Sequence, residues 1–361
     1  MEQAAFGQNS GKKEDIPMFD VVAVGELLID FTPFEKEGKT AFEQNAGGAP
    51  PNLLAAVSRL GGKGAFIGKV GRDAFGRFLK KTLEDFRIDT SGLLQSDDPT
   101  TLAFVHLAPD GERDFSFYRI DTADVKLSPE ELPLRLLDQT KLFHFGSLTM
   151  TAEPARSATK RLLQYARQRN IPISFDPNLR PSLWDSLETA KEQMLFGLSY
   201  ADIVKVSEEE LFFLTGNKDL EQGSRLLLSR KKGETEAQSR SGLHESDYQD
   251  YCEQEGAQLV LVTLGKDGCF YRRGEITGSI PSFAVRAVDA TGAGDGFLGG
   301  FLYAFLGYDK PLSALSCGEL EDAIRFANAV GALAATKRGG MASMPSIEQV
   351  CVLTPLPCRR A

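Results

Sequence analysis

Along this chain, short unbroken apolar runs alternate with longer stretches in which apolar residues recur at every third or fourth position. Val21, Val22, Ala23 and Val24 form such a run and end at Gly25, the pattern of a strand buried on both faces of a parallel sheet. Further strand candidates are KLFHFGSL, IPISFDPN, ADIVKVS and AQLVLVTLG. Between them, AEPARSATKRLLQYARQRN places Ala158, Leu162, Leu163 and Ala166 at helical spacing. Alternating strands and helices predict an α/β fold with helices on both faces of the sheet.

Two segments break the alternation. FTPFEKEGKTAFEQNAG follows the first strand, and TTLAFVHLAPDGERDFSFYR contains the hairpin signal APDGE. Both read as extended pieces joined by a turn, which predicts a small β-sheet lid built from about 31–46 and 100–122. The stretch 229–256 is polar and charged and reads as a solvated surface insertion. The main domain is expected over 18–350, with tails at 1–17 and 351–361.

Composition narrows the chemistry. At 361 residues, 42% hydrophobic and 25% charged, the chain has the balance of a globular protein. A net charge of -9 without basic stripes argues against nucleic acid or an anionic membrane as partner and favours small-molecule chemistry. Cys252, Cys269, Cys317, Cys351 and Cys358 show no CxxC spacing, and His106, His144 and His244 form no metal motif. No apolar run reaches the ~18 residues that span a bilayer. The polar N-terminus lacks the apolar core of a signal peptide, so a cytoplasmic protein is expected.

The stretch VDATGAGDGFLGGF is the strongest candidate for chemistry. Phe297, Leu298, Phe301, Leu302 and Phe305 give a helix starting near Gly294 a buried face. The first turn of a helix has N–H groups without intrahelical partners and partial positive charge. Gly292 and Gly294 leave room for an anion to approach them, and a phosphoryl group fits that description. Asp295 could take the proton of a hydroxyl brought to that group, or could simply cap the helix. In NAGGAPPNLLAAVSRLGG, Gly47 and Gly48 precede Asn52 at the start of an amphipathic helix, a setting for a polyhydroxylated ligand or for a tight turn. Asp30 follows the first strand at the sheet edge where open α/β sheets bind ligands, and could equally serve a turn. EKEGKT lacks the first glycine of a phosphate-binding P-loop, and TGAGDGFLGG lacks the βαβ context of a dinucleotide site.

Together, GGAPPNLLAAVSRLGG and VDATGAGDGFLGGF resemble the two signature motifs of the PfkB family, the ribokinase-like carbohydrate kinases. IGKVGRDAFG, DPNLRPSLW, VSEEEL, VTLGKDG and RFANAVGALAATKRGG extend the resemblance in order from about Val21 to Val350. Within the family, GELLIDF and GERDFSFYRIDTAD are most similar to fructokinases. The resemblance implies a three-layer α/β/α domain with a mainly parallel sheet, and a β-lid that closes over the sugar and often forms a dimer contact. It implies Asp295 as catalytic base, Gly292, Ala293 and Gly294 as anion hole, and Asp30, Gly47, Gly48, Asn52, Arg119 and Arg180 as sugar contacts. For ATP it implies Ser207, Glu210, Thr263, Gly265 and Asn328, with Mg²⁺ on the phosphates and a monovalent cation such as K⁺ near Asp289. Ser207 stands where the family's NxxE motif has Asn. Ile120 and Asp121 stand where fructokinases commonly show Asn-Pro. The activity implied is ATP-dependent phosphorylation of fructose. The alternatives are 2-keto-3-deoxygluconate kinase, with arginines on a carboxylate, and a silent sensor of sugar or nucleotide on the same fold.

Overall fold

A computed structural model describes residues 19–107, 113–228 and 257–357. The expected tail 1–17, the turn APDGE and the insertion 229–256 lie outside the described residues. At the other end, a helix over Ile347–Leu353 runs into the segment expected as a tail.

Nine of the described strands form one sheet. They are β1 (Phe19–Val24), β4 (Gly64–Gly71), β5 (Asp89–Ser96), β8 (Thr140–Gly146), β9 (Ile173–Asp176), β10 (Ile203–Ser207), β11 (Leu259–Thr263), β12 (Cys269–Arg273) and β13 (Ile276–Ile280). Their order is β13-β12-β11-β10-β9-β8-β1-β4-β5. All pairings are parallel except β11 with β12 and β12 with β13, an antiparallel edge that the apolar pattern had not announced. From β1 the chain first builds outward through β4 and β5, then returns to β1's other side with β8. The order therefore reverses beside β1, where open α/β sheets form a ligand crevice beyond the strand ends.

Alternation on β1 divides the interior into two cores. Val21 and Ala23 face a cluster with residues of α1 (Ala49–Arg59), α2 (Ala74–Asp85), α7 (Ala293–Gly307) and α8 (Cys317–Ala334). Val22 and Val24 face a second cluster with α3 (Ala155–Gln168), α4 (Leu187–Leu198), α5 (Glu208–Thr215) and α6 (Leu220–Leu228). That is the expected three-layer α/β/α arrangement, with the sheet's inner strands buried on both faces. No described helix is long and apolar enough to cross a membrane.

The expected lid is a separate four-stranded sheet, β3-β2-β6-β7. It comprises β2 (Leu28–Lys36), β3 (Lys39–Gly47), β6 (Leu102–Leu107) and β7 (Arg113–Tyr118). The EKEGKT segment is its β2–β3 turn, with Glu37 and Gly38 both at positive φ, as a tight hairpin requires. At its base, Arg119 is buried: Nε donates to Asp124 at 2.7 Å, Nη1 to Thr151 at 2.8 Å and Nη2 to the Leu148 carbonyl at 2.8 Å. Asp124 also accepts from Thr101 and Thr122. Burial opposes the charge of Asp124, but Arg119 and the two hydroxyls outweigh it and hold its pKa below the usual carboxylate range.

Close packing of α1 on α7 sets the geometry of the crevice. Gly299 lies against α1 so tightly that a Cβ there would sit 2.8 Å from the Ala56 Cβ and 2.8 Å from the Leu53 carbonyl oxygen. Gly299→Ala should therefore force the helices apart and destabilise the fold by about 1–3 kcal/mol. Urea unfolding measures this directly, and an unchanged midpoint would mean that the contact is slack.

Candidate active site

Helices α1 and α7 both begin at the carboxyl edge of the sheet. The turn into α1 is shaped by what surrounds it: a Cβ at Gly47 would collide with the Asp30 carboxylate, and one at Gly48 with the Glu26 carbonyl. Gly48 has φ 114°, open to glycine and strained for other residues. It contributes no side-chain cap, so buried Glu26 caps the helix from outside, accepting the Ala49 N–H at 2.8 Å. Burial raises the pKa of Glu26 despite that bond. Glu26 was not among the residues expected from the sequence.

The turn into α7 has Gly292 as N-cap at φ 77°, where any added Cβ would be strained. Asp289 organises this turn, accepting the Thr291 N–H at 2.8 Å and the Gly339 N–H at 3.2 Å. The Ala293 N–H donates to the Ala290 carbonyl at 3.1 Å, so an anion at this turn would have to compete for that donor.

Asn52 and Asp295, 243 positions apart in sequence, meet with Asn52 Nδ2 donating to Asp295 Oδ2 at 2.9 Å. Asp295 is half-exposed at the mouth, yet protein crowds its carboxyl. Burial and then the Asp176 carboxylate push its pKa up to about 7, against the pull of Asn52, Lys205 and Arg180. A carboxylate at that value is suited to accept a proton near neutral pH.

Asp176 and Lys205 are the site residues that the sequence reading missed. Asp176 ends β9 and Lys205 lies mid-strand on neighbouring β10; they form a buried ion pair, Lys205 Nζ to Asp176 Oδ2 at 2.9 Å. Burial opposes the lysine's charge, but Asp176 and Glu210 overcome it and raise its pKa, so Lys205 stays cationic. A signal did exist: in KLFHFG, ISFDP and DIVKVS, polar His144, Ser174, Asp176 and Lys205 interrupt otherwise apolar strands on the face toward α1 and α7. His144 pairs with Ser174 at 3.3 Å, and burial, then Lys205, push its pKa down to about 3. It is neutral at working pH.

The other expected residues divide clearly. Arg180 lies half-buried on the loop after β9, close enough to influence Asp295, with one hydrogen bond among the described residues, to its neighbour's carbonyl. Arg119, also expected as a sugar contact, spends its donors on Asp124, Thr151 and the Leu148 carbonyl at the base of the lid. Ile120 points into solvent at 88% exposure, and Asp121 pairs with Lys126. Ser207 and Glu210 form a capping box on α5, Glu210 accepting the N–H groups of Ser207 and Leu179. Burial raises the Glu210 pKa. Thr263 pairs with Ser207 in the β10–β11 register, Gly265 follows at φ 56° beside open space, and Asn328 ties α8 to the Ile280 and Pro281 carbonyls.

The chain belongs to the pfkB family of carbohydrate kinases, whose profile matches residues 18–347. It is 41% identical over 338 residues to fructokinase-1 of Oryza sativa subsp. japonica, covering 92% of this chain and 97% of that relative. A fructokinase of Xylella fastidiosa with bound ATP superposes with a TM-score of 0.78 at 33% identity, covering 92% of this chain and 97% of that one. A Vibrio cholerae O395 fructokinase with fructose, ADP and calcium bound gives 0.75 at 31% identity, covering 93% and 98%.

The raised pKa of Asp295 has a consequence for stability. Between 3.8, its ordinary value, and about 7 the folded chain holds a proton on Asp295 that the unfolded chain has lost. Stability from this group therefore falls as pH rises through that window. Asp295→Asn, which cannot ionise, should melt higher than the native chain at pH 8, and the gap should shrink as pH falls below about 7. A gap in thermal melts that stays constant from pH 8 to pH 5 would contradict the buried-carboxyl account.

Proposed function

We propose that this protein phosphorylates the primary hydroxyl of fructose with ATP, giving fructose 6-phosphate and ADP. The observation that carries the reading is the carboxyl of Asp295, held by Asn52 at the glycine turn of α7 with its pKa raised to about 7. On this reading Asp30, Gly47, Gly48 and Asn52 receive the sugar, and the turn Gly292-Ala293-Gly294 holds the moving phosphoryl group. Asp295 accepts the hydroxyl proton as the oxygen attacks. Ser207, Glu210, Thr263, Gly265 and Asn328 mark the nucleotide side. The fructokinase relatives, one with fructose and ADP bound, support fructose as the acceptor.

Among the described residues no group of three or more His, Cys, Asp or Glu side chains could hold a metal ion. The donor set therefore suits a Mg²⁺ ion carried in on nucleotide phosphates, where it would offset their charge. A monovalent cation beside Asp289 would stiffen the turn that this residue already organises. We read the protein as cytoplasmic and as a homodimer through the lid, where Phe34, Phe42 and Tyr118 are exposed.

A second reading, 2-keto-3-deoxygluconate as acceptor, has one observation in its favour: Arg180 keeps donors for a carboxylate, whereas Arg119 is engaged elsewhere.

Release of ADP from Mg·ATP with fructose, 2-keto-3-deoxygluconate, ribose or no sugar tests both readings. Fructose-dependent release is expected, reduced ~10²–10⁴-fold in Asp295→Ala, the range of a general base. Release with the sugar acid alone would move the assignment to the second reading, and near-native turnover in Asp295→Ala would remove Asp295 from its role.

A further inference from the structure

The proposed function assigns no role to the buried ion pair of the site. Lys205 is 8% exposed, and its bond to Asp176 is its one hydrogen bond among the described residues. Two of its three N–H donors remain uncommitted. The second oxygen of Asp176 is likewise buried with no hydrogen-bond partner. Such half-satisfied buried groups are costly unless a ligand completes them.

The position of the ammonium says what that ligand is. A Cβ built on Gly294 would lie 3.2 Å from Lys205 Nζ, so the absent side chain leaves room for the lysine tip to reach the first turn of α7. Around this point stand Asp176 from β9, Glu210 from α5, Asp295 from α7, Arg180 from the loop after β9 and neutral His144 from β8. With every carboxyl ionised, three negative charges face two positive ones. An arriving phosphoryl group adds more negative charge and has to meet a cation within the anion hole itself.

We propose that Lys205 binds the transferring phosphoryl group from the sheet side of the anion hole, with Asp176 holding the ammonium at that position. The inference rests on the kinase reading above and adds a residue to it. In the transfer, the sugar oxygen forms a bond to the γ-phosphorus and its proton passes to Asp295. The bond from phosphorus to the β–γ bridging oxygen breaks, and its electron pair leaves on ADP. Lys205 gains and loses no proton; its charge stabilises the equatorial oxygens as the group moves.

The test compares the native chain with Lys205→Met and Lys205→Arg in binding and in turnover. Calorimetry with Mg·ATP and with Mg·ADP, without sugar, reads whether the γ-phosphate is felt. The native chain should bind ATP more tightly than ADP; in Lys205→Met that difference should vanish while ADP affinity stays within about threefold, and Lys205→Arg should restore part of it. Turnover of Lys205→Met should fall ~10²–10³-fold, as for loss of one oxyanion donor, with the KM for sugar little changed. If Lys205→Met proves unfolded by thermal melt, Lys205→Gln supplies the same comparison.

Preserved ATP-over-ADP discrimination in the folded variant would overturn the proposal. So would a turnover loss matched by an equal rise in sugar KM, since that indicates a structural role. Because the binding arm uses no sugar, inert fructose together with lost discrimination would sink the fructose reading and leave Lys205 in place.

Discussion

The architecture of this protein turns on the contact between the N-terminal ends of α1 and α7. Each helix starts at a glycine turn, and their axes are brought close because Gly299 has no side chain to hold them apart. From that approach follows the 2.9 Å bond between Asn52 and Asp295, and with it the crowding that raises the carboxyl's pKa. A wider gap would admit water, lower that pKa and separate the sugar side of the crevice from its base. Packing in the core and proton affinity at the mouth are thus one property seen at two depths.

Charge is arranged around this contact in an order that burial alone would forbid. Asp176, Glu210 and Asp295 are three acids near one another, and two of them carry raised pKa values. Lys205 makes the arrangement tolerable, and it can do so because parallel pairing of β9 with β10 brings the end of β9, at Asp176, beside Lys205 in the middle of β10. Neutral carbonyl and N–H groups finish the balance: Glu210 takes two backbone donors and Asp289 takes another two. The crevice is consequently stiff where charge is concentrated.

Much of this could be read from residue order, for reasons that are local. Apolar runs such as Val21–Val24 and the helical spacing after Gly294 state their own burial, and glycines at Gly48 and Gly292 occur where backbone conformation demands them. What could not be read depends on partners far away in sequence. The broken apolar pattern marks Lys205 as unusual, but its partner Asp176 is set only when β9 and β10 are paired. Arg119 reads as a ligand contact in the sequence, whereas its partners Asp124, five residues on, and Thr151 become visible only in the fold. Glu26 serves a helix that begins twenty-three residues later, across the whole first hairpin. The antiparallel edge β12–β13 escaped because short apolar strands look alike whichever way they run.

The small sheet has a mechanical property that follows from its connections. β2 begins, β3 ends, β6 begins and β7 ends at the same margin, so all four chain crossings to the main domain lie at one side. The sheet is a cantilever: fixed along its root by the Arg119–Asp124 pair and the Gly47–Gly48 joint, with its β2–β3 hairpin exposed among the described residues. A nine-residue strand such as β2 is about 30 Å long at the usual rise per residue. A rotation of roughly 10° at the root therefore carries the far end about 5 Å, so that dihedral changes confined to a few root residues would be magnified into a displacement the size of a sugar ring.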